Sequence, residues 1–319
     1  MYGGWKETLI LVSLTCYLAL GAGMHPRLVP DWQVRLALHP SIAFAAVCPD
    51  GSVYAVSGSG EVSLLDYLGH LRATRTTNVL ESAGAVACGP GRDLYIAGRN
   101  SNAATDSLAI LPNIATAHAQ PRLTDLAVRA TAIAVIHRGV IAVAGYSKNG
   151  SCPLHLVSSA GRLIRSFGEC GGAGATGSEL ANGFLLWRER EQRLLFVPRK
   201  MAEIQIYAAD GTPIAVRGLG PIRPASAQWE EEDPLSEIRG VAFLPAGHIV
   251  VQSPDRGLLL FSPDVTALGP AIGTNLGTLI GADDRGGLYF LRPDRIGREH
   301  LSLPLAVRPH EDTHPLLKL

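Results

Sequence analysis

A pattern that returns roughly every 45 residues governs what this chain can fold into. One copy runs Val47-Cys48-Pro49-Asp50-Gly51-Ser52-Val53-Tyr54-Ala55-Val56, then Val62-Ser63-Leu64-Leu65-Asp66, then Gly69. Each copy is a short apolar strand, a Pro/Asp/Gly turn, a second apolar strand, a loop, and a third strand that ends at a turn glycine. Several strands per repeat at this period specify a β-propeller, in which each repeat is one blade.

Five further copies follow. Their second strands read Leu94–Ala97, Val140–Val143, Leu194–Val197, Ile249–Val251 and Leu288–Leu291. In the fourth copy Ile204 and Ile206 alternate with Glu203 and Gln205, the period-2 mark of a half-buried strand. The second and fifth copies have weak outer-strand segments, so short or irregular fourth strands are expected there. Six blades need about 280 residues, which the 319-residue chain supplies after a short leader. The predicted fold is all-β: six four-stranded antiparallel blades in one domain over 24–319.

A ring needs a fastening. The sixth copy is followed by Pro304 and a polar tail and offers no outer strand of its own, whereas Trp32–Leu38, ahead of the first copy, alternates cleanly. The expectation is that Gln33–Leu38 pairs with the segment near Arg298–Leu303 as the outer strand of blade six, removing the exposed edges of an open ring.

One junction resembles a known family. Gly161-Arg162-Leu163-Ile164-Arg165-Ser166-Phe167-Gly168, the glycine-rich stretch from Gly171 to Gly177, and Asn182-Gly183 before an apolar strand are similar to an NHL-type repeat. In that family an outer strand ends in Phe-Gly and the next inner strand opens with a Pro-x-Gly element; this chain has Asn182-Gly183 without the proline. The resemblance implies a six-bladed propeller and assigns no functional residue.

Thr8–Leu20 is uncharged and apolar, preceded by Lys6 and followed by Gly21-Ala22-Gly23. It is shorter than the ~20 residues of a membrane span and matches the core of a secretory signal. Residues 1–23 are therefore read as a signal peptide, or alternatively as a retained N-terminal anchor, giving a secreted or periplasmic protein. A retained anchor would be the chain's one membrane contact. The formal net charge is zero, so no basic surplus points to nucleic acid.

Outside the leader stand Cys48, Cys88, Cys152 and Cys170. Four cysteines in an exported chain permit two bridges. Cys152 opens a third strand and Cys170 follows the fourth. Antiparallel pairing outward from Ser158-Ser159-Ala160-Gly161 brings them opposite one another, so a disulfide is predicted. Cys48 and Cys88 lie near the ends of neighbouring inner strands and read more simply as small buried side chains.

Reactive motifs are few. There is no Gly-x-Ser-x-Gly elbow, phosphate loop or His-Glu-x-x-His, no cofactor motif, and no zinc pair. His155 on a third strand reads as an exposed or hydrogen-bonded residue. Asp50, Asp66, Asp210, Asp264 and Asp284 sit in turns, where a carboxylate bonds nearby N–H groups. A calcium in the channel would need carboxylates or amides near the inner-strand starts. Asn182 is the one usual ligand there, and Arg239 would repel the ion. Glu81, Glu179, Glu237 and Asn275 lie close enough in sequence to keep a metal-dependent lactonase or esterase as the alternative.

Loop lengths favour one face. The long connections 100–106, 147–152, 170–179 and 218–237 are second-to-third-strand loops or blade-to-blade connections, which emerge together; the opposite turns are short. Functional residues concentrate on such loops. Asn182, Arg199, Trp229 and Arg239 are expected on this long-loop face near the channel mouth, as ligand-binding residues for an unidentified protein, peptide or glycan. The reading is a non-enzymatic binding or scaffold propeller with no catalytic residue assigned. The bland alternative is a solvated acidic loop with Trp229 packed on the rim.

Overall fold

The computed structural model describes residues 27–36, 42–77, 80–89, 91–100, 106–115, 120–137, 139–146, 152–170, 181–219, 237–254, 256–263, 265–271 and 277–302. The chain is a ring of six four-stranded antiparallel sheets. After β1 (Arg27–Arg35), blade one holds β2 (Ile42–Val47), β3 (Val53–Ser57), β4 (Glu61–Leu65) and β5 (Leu71–Thr76). Blade two holds β6 (Ser82–Cys88), β7 (Leu94–Arg99), β8 (Asp106–Leu111) and β9 (Arg122–Asp125). Blade three holds β10 (Arg129–His137), β11 (Val140–Tyr146), β12 (Leu154–Ser158) and β13 (Leu163–Phe167). Blade four holds β14 (Gly183–Arg188), β15 (Arg193–Pro198), β16 (Glu203–Ala208) and β17 (Pro213–Gly218). Blade five holds β18 (Gly240–Phe243), β19 (Ile249–Ser253), β20 (Gly257–Phe261) and β21 (Ala267–Ala271). Blade six holds β22 (Thr278–Ala282), β23 (Gly287–Arg292) and β24 (Arg295–Ser302). The weak outer strands of blades two and five form, the former over four residues. No helix among the described residues is long and apolar enough to cross a membrane.

The second strands are buried on both faces, as in Val53-Tyr54-Ala55-Val56-Ser57, because a propeller blade is covered by a neighbour on each side. Outer strands such as Leu71–Thr76 are mostly exposed. The hydrophobic core is accordingly divided among the six seams. Val56, Leu64, Ile96 and Leu111 fill the seam of blades one and two; Leu195, Val197, Val251 and Phe261 that of four and five. Trp32, Val34, Tyr289 and Ile296 meet Val53 and Leu65 where blade six meets blade one.

Closure follows the predicted route with a different register. β1 is the outer strand of blade six and pairs with β24, but Gln33 lies opposite Gly297 and Arg27 opposite Ser302. Only Pro293 and Asp294 separate β23 from β24, so the third strand begins at Arg295, ahead of the expected segment near Arg298–Leu303. The outer strand slides upstream to match it, with Trp32 and Val34 turned inward and Gln33 and Arg35 exposed. Ala37 and Leu38, the end of the predicted closing strand, lie outside the described residues.

Cys152 and Cys170 are bridged as predicted, with Cα atoms 4.0 Å apart. Cys48 and Cys88 are also bridged, at a Cα separation of 5.2 Å, which corrects the reading of two unlinked buried side chains. The two residues end equivalent inner strands, and the ring sets equivalent positions of neighbouring blades side by side. Two disulfides fit an oxidising compartment.

In the turn Ser158–Gly161, Gly161 takes the left-handed conformation that favours glycine: it has φ +74°, and a Cβ there would stand 2.0 Å from the Asp125 carbonyl oxygen of blade two. Gly161→Ala is expected to lower the unfolding free energy by about 1–3 kcal/mol, read as a shift in urea midpoint. An unchanged midpoint would show that the turn relaxes freely.

Candidate functional site at the channel mouth

Inner-strand starts and second-strand ends meet at the long-loop end of the ring. Asn182 precedes β14 and its carbonyl accepts the Arg199 N–H at 2.9 Å; the Arg199 carbonyl accepts the Ile238 N–H at 2.9 Å. The Arg239 N–H in turn donates to the Gln252 carbonyl at 2.8 Å. These backbone bonds lock together the start of blade four, its second-to-third-strand loop and the entrance to blade five. Asn182, Arg199 and Arg239 therefore share one end of the ring. Trp229 lies outside the described residues.

Glu237 stands between the two arginines. Its carboxylate is 4.0 Å from Arg199 Nη1 and 3.8 Å from Arg239 Nε, about 1 Å beyond a charge-assisted hydrogen bond. The Arg199 guanidinium lies over the Phe184 ring, 5.0 Å from its centroid. Two buried side-chain polar atoms among the described residues have no hydrogen-bond partner: Arg199 Nε and Ser253 Oγ. Both lie where the second strands of blades four and five end. An unmet buried donor costs about 1–3 kcal/mol, and such groups call for an explanation when they gather in one place.

Arginine recurs at this level around the ring. Arg99 ends β7, Arg129 opens β10, Arg199 follows β15, Arg239 precedes β18 and Arg292 ends β23. Arg129 sits over Tyr146, 5.8 Å from the ring centroid. Arg292 is turned aside onto buried Glu299 at 3.8 Å, whose carboxyl burial holds above its usual range. In the two innermost strands of each blade the acids at this level, among the described residues, are Glu81 and Glu237. Among the described residues lining this end of the two innermost strands, arginines outnumber carboxylates, while Asp106 faces Arg99 across β7 and β8 and Glu203 opens β16 at the same end. Arg99, Arg129 and Arg292 were not picked out from the sequence. The repeat register marks all three, since each is an inner-strand start or a second-strand end.

The remaining candidates fall elsewhere. His155 is fully buried between strands, with Nδ1 2.9 Å from Ser166 Oγ and Nε2 3.3 Å from the Gly145 carbonyl oxygen; burial lowers its pKa. Asp50, Asp66 and Asp210 accept bonds from nearby turn N–H groups, as their positions imply. No group of three or more His, Cys, Asp or Glu within reach of a metal occurs among the described residues. Glu179 and Asn275 lie outside them. A groove of about 430 Å³ opens on the opposite, short-turn face between blades one and two, beside Asp50, Asp66, Arg72 and Arg92. Its arginines are matched by carboxylates, Arg92 to Asp50 at 2.6 Å and Arg72 to Asp66 at 2.5 Å, so it has no charge surplus.

The architecture defines a six-bladed β-propeller, and comparison with known proteins agrees. No protein-family model matches the chain, and no curated protein matches it in sequence. Among solved structures it is similar to a streptogramin B lyase, with TM-score 0.53 and 12% identity over 87% of this chain and 98% of that one. It is also similar to a protein of unknown function from Bacteroides thetaiotaomicron, with TM-score 0.54 and 11% identity over 88% and 77%. A catalytically inactive virginiamycin B lyase from Staphylococcus aureus with quinupristin gives TM-score 0.52 and 13% identity over 84% and 83%. At such identities the likeness shows the fold alone. It agrees with the NHL-type resemblance at the level of architecture.

Proposed function

We propose that this protein is an exported, non-enzymatic binding propeller that takes a negatively charged protein, peptide or glycan on its long-loop face, around the mouth of the ring. The observation that carries this reading is the series of mouth arginines, Arg99, Arg129, Arg199 and Arg239, on four successive blades of a chain with no net charge. Clustered charge of one sign on a rigid frame steers and orients an oppositely charged partner. The two disulfides and the apolar leader support a location outside the reducing cytoplasm. The second reading is a metal-dependent lactonase or esterase-like hydrolase with its site in the channel; the likeness to two lyases carries no residue over to this chain.

Purified protein is expected to bind poly-glutamate at low ionic strength, with an affinity that falls steeply as salt is added. The variant Arg129→Ala/Arg199→Ala/Arg239→Ala should lose at least about tenfold in affinity, or 1.4 kcal/mol, with its unfolding midpoint little changed. Equal binding by wild type and variant would remove the mouth as the site. Turnover of lactone or ester substrates by the wild type would favour the hydrolase.

A further inference from the structure

We infer that Glu237 is a resident stand-in for the ligand: Arg199 and Arg239 form a carboxylate clamp whose partner is an acidic side chain of an extended peptide, and Glu237 holds that place until the partner displaces it. The inference rests on the binding reading above and names the ligand's chemistry. Three observations carry it. First, Glu237 is, among the described residues, the carboxylate placed against both guanidinium groups, yet it stands 3.8–4.0 Å away, leaving room for the closer, forked contact that arginine makes with a carboxylate. Second, a donor of the clamp itself is unmet: Arg199 Nε is buried without a partner although the side chain as a whole is 39% exposed. Third, the present occupant is itself a peptide segment. The Ile238 N–H bonds the Arg199 carbonyl and the Arg239 N–H bonds the Gln252 carbonyl, so a glutamate on a peptide held by backbone bonds is what the clamp already accommodates. That favours an acidic peptide over an acidic glycan.

The arrangement makes a prediction opposite to that for an ordinary structural ion pair. Removing the Glu237 charge should strengthen binding, because the ligand no longer competes with a tethered carboxylate. The backbone bonds of Ile238 and Arg239 do not depend on the Glu237 side chain, so Glu237→Gln is expected to fold. The experiment measures binding of a labelled oligo-glutamate peptide to wild type, Glu237→Gln, Glu81→Gln and Arg199→Ala/Arg239→Ala, the last with and without Glu237→Gln. The expected result is about tenfold tighter binding for Glu237→Gln. Glu81→Gln adds the same charge to the mouth away from the clamp and should gain less than about twofold through screened attraction. The Glu237→Gln gain should vanish in the Arg199→Ala/Arg239→Ala background.

An equal gain from both glutamate variants, or no gain from Glu237→Gln, would overturn the clamp while leaving the binding reading in place, provided the wild type binds. Failure of both wild type and Glu237→Gln to bind would overturn the binding reading itself. Tighter binding of oligo-galacturonate than of oligo-glutamate to Glu237→Gln would overturn the choice of a peptide.

Discussion

Replacing Asp283 by alanine is expected to lower the unfolding free energy by about 3–5 kcal/mol, the range for stripping one partner from a buried ion pair. Asp283 is 2% exposed in the turn between β22 and β23. Its Oδ1 accepts the Gly287 and Arg285 N–H groups at 2.8 and 2.9 Å. Its Oδ2 lies 2.8 Å from the Tyr289 hydroxyl and 3.0 Å from Arg298 Nε. That hydroxyl also lies 2.9 Å from the Gly51 carbonyl oxygen of blade one, and Arg298 bonds Asp31 of β1. One carboxylate thus organises the seam where the ring closes. Its loss would leave the Tyr289 hydroxyl and the Arg298 guanidinium short of a partner in a buried place.

The same network sets an acid limit. Burial pushes the Asp283 carboxyl up, but the bonds from Arg298, Gly287 and Tyr289, with the charge of Arg298, outweigh it and leave the pKa below its usual 3.8. A folded-state pKa below the unfolded one means that the contribution is complete above about pH 4 and is lost as pH falls through the lowered value. Urea midpoints of wild type and Asp283→Asn should therefore differ at pH 7 and converge on acidification below pH ~4. A constant gap would show that Asp283 acts by shape alone.

The second large effect concerns the bridges. Cys48→Ser/Cys88→Ser is expected to cost about 4 kcal/mol and Cys152→Ser/Cys170→Ser about 3 kcal/mol, from the chain-entropy cost of loops closed over separations of 40 and 18 residues. Accessibility orders their chemistry differently. Cys48 is 1% exposed and its partner Cys88 is part-buried, whereas Cys170 is exposed on the long-loop face. Stepwise reduction with a dithiol, followed by alkylation and mass analysis, should label Cys152 and Cys170 first. Labelling of Cys48 and Cys88 should come only with loss of the fold. Labelling of all four at one reductant concentration would contradict this.

These cases also show what local pattern can and cannot carry. Strand alternation, turn glycines and the spacing of Cys152 and Cys170 are short-range features, and they led to the blades, the closing strand and the bridge within blade three. Contacts across seams leave a fainter trace. Tyr54 donates from blade one to the Arg92 carbonyl of blade two at 2.6 Å, as Tyr289 reaches from blade six to blade one. Both are the second residue of a Val/Leu-Tyr pair opening a buried second-strand run, a repeat visible in the sequence whose purpose depends on the neighbour. The bridge of Cys48 with Cys88 was hidden for the same reason, and of the mouth arginines only Arg199 and Arg239 stood out from the sequence. Among the turn acids Asp284 was noted and Asp283 passed over, because burial rather than turn position distinguishes them.

The fastening of the ring has a cost in time. β1 and β24 lie side by side although more than 250 residues of chain separate Trp32 from its partner Arg298. Such a contact cannot form until nearly the whole length has been made and the intervening blades have brought its halves within reach, which places ring closure among the slow, late steps of folding. Until then blade six lacks its outer strand and Trp32 and Val34 lack their seam. The unfinished molecule offers a sheet edge and an apolar strand to any other unfinished copy. The arrangement that leaves no loose blade in the finished ring makes the interval before closure the period of greatest exposure to swapping and aggregation.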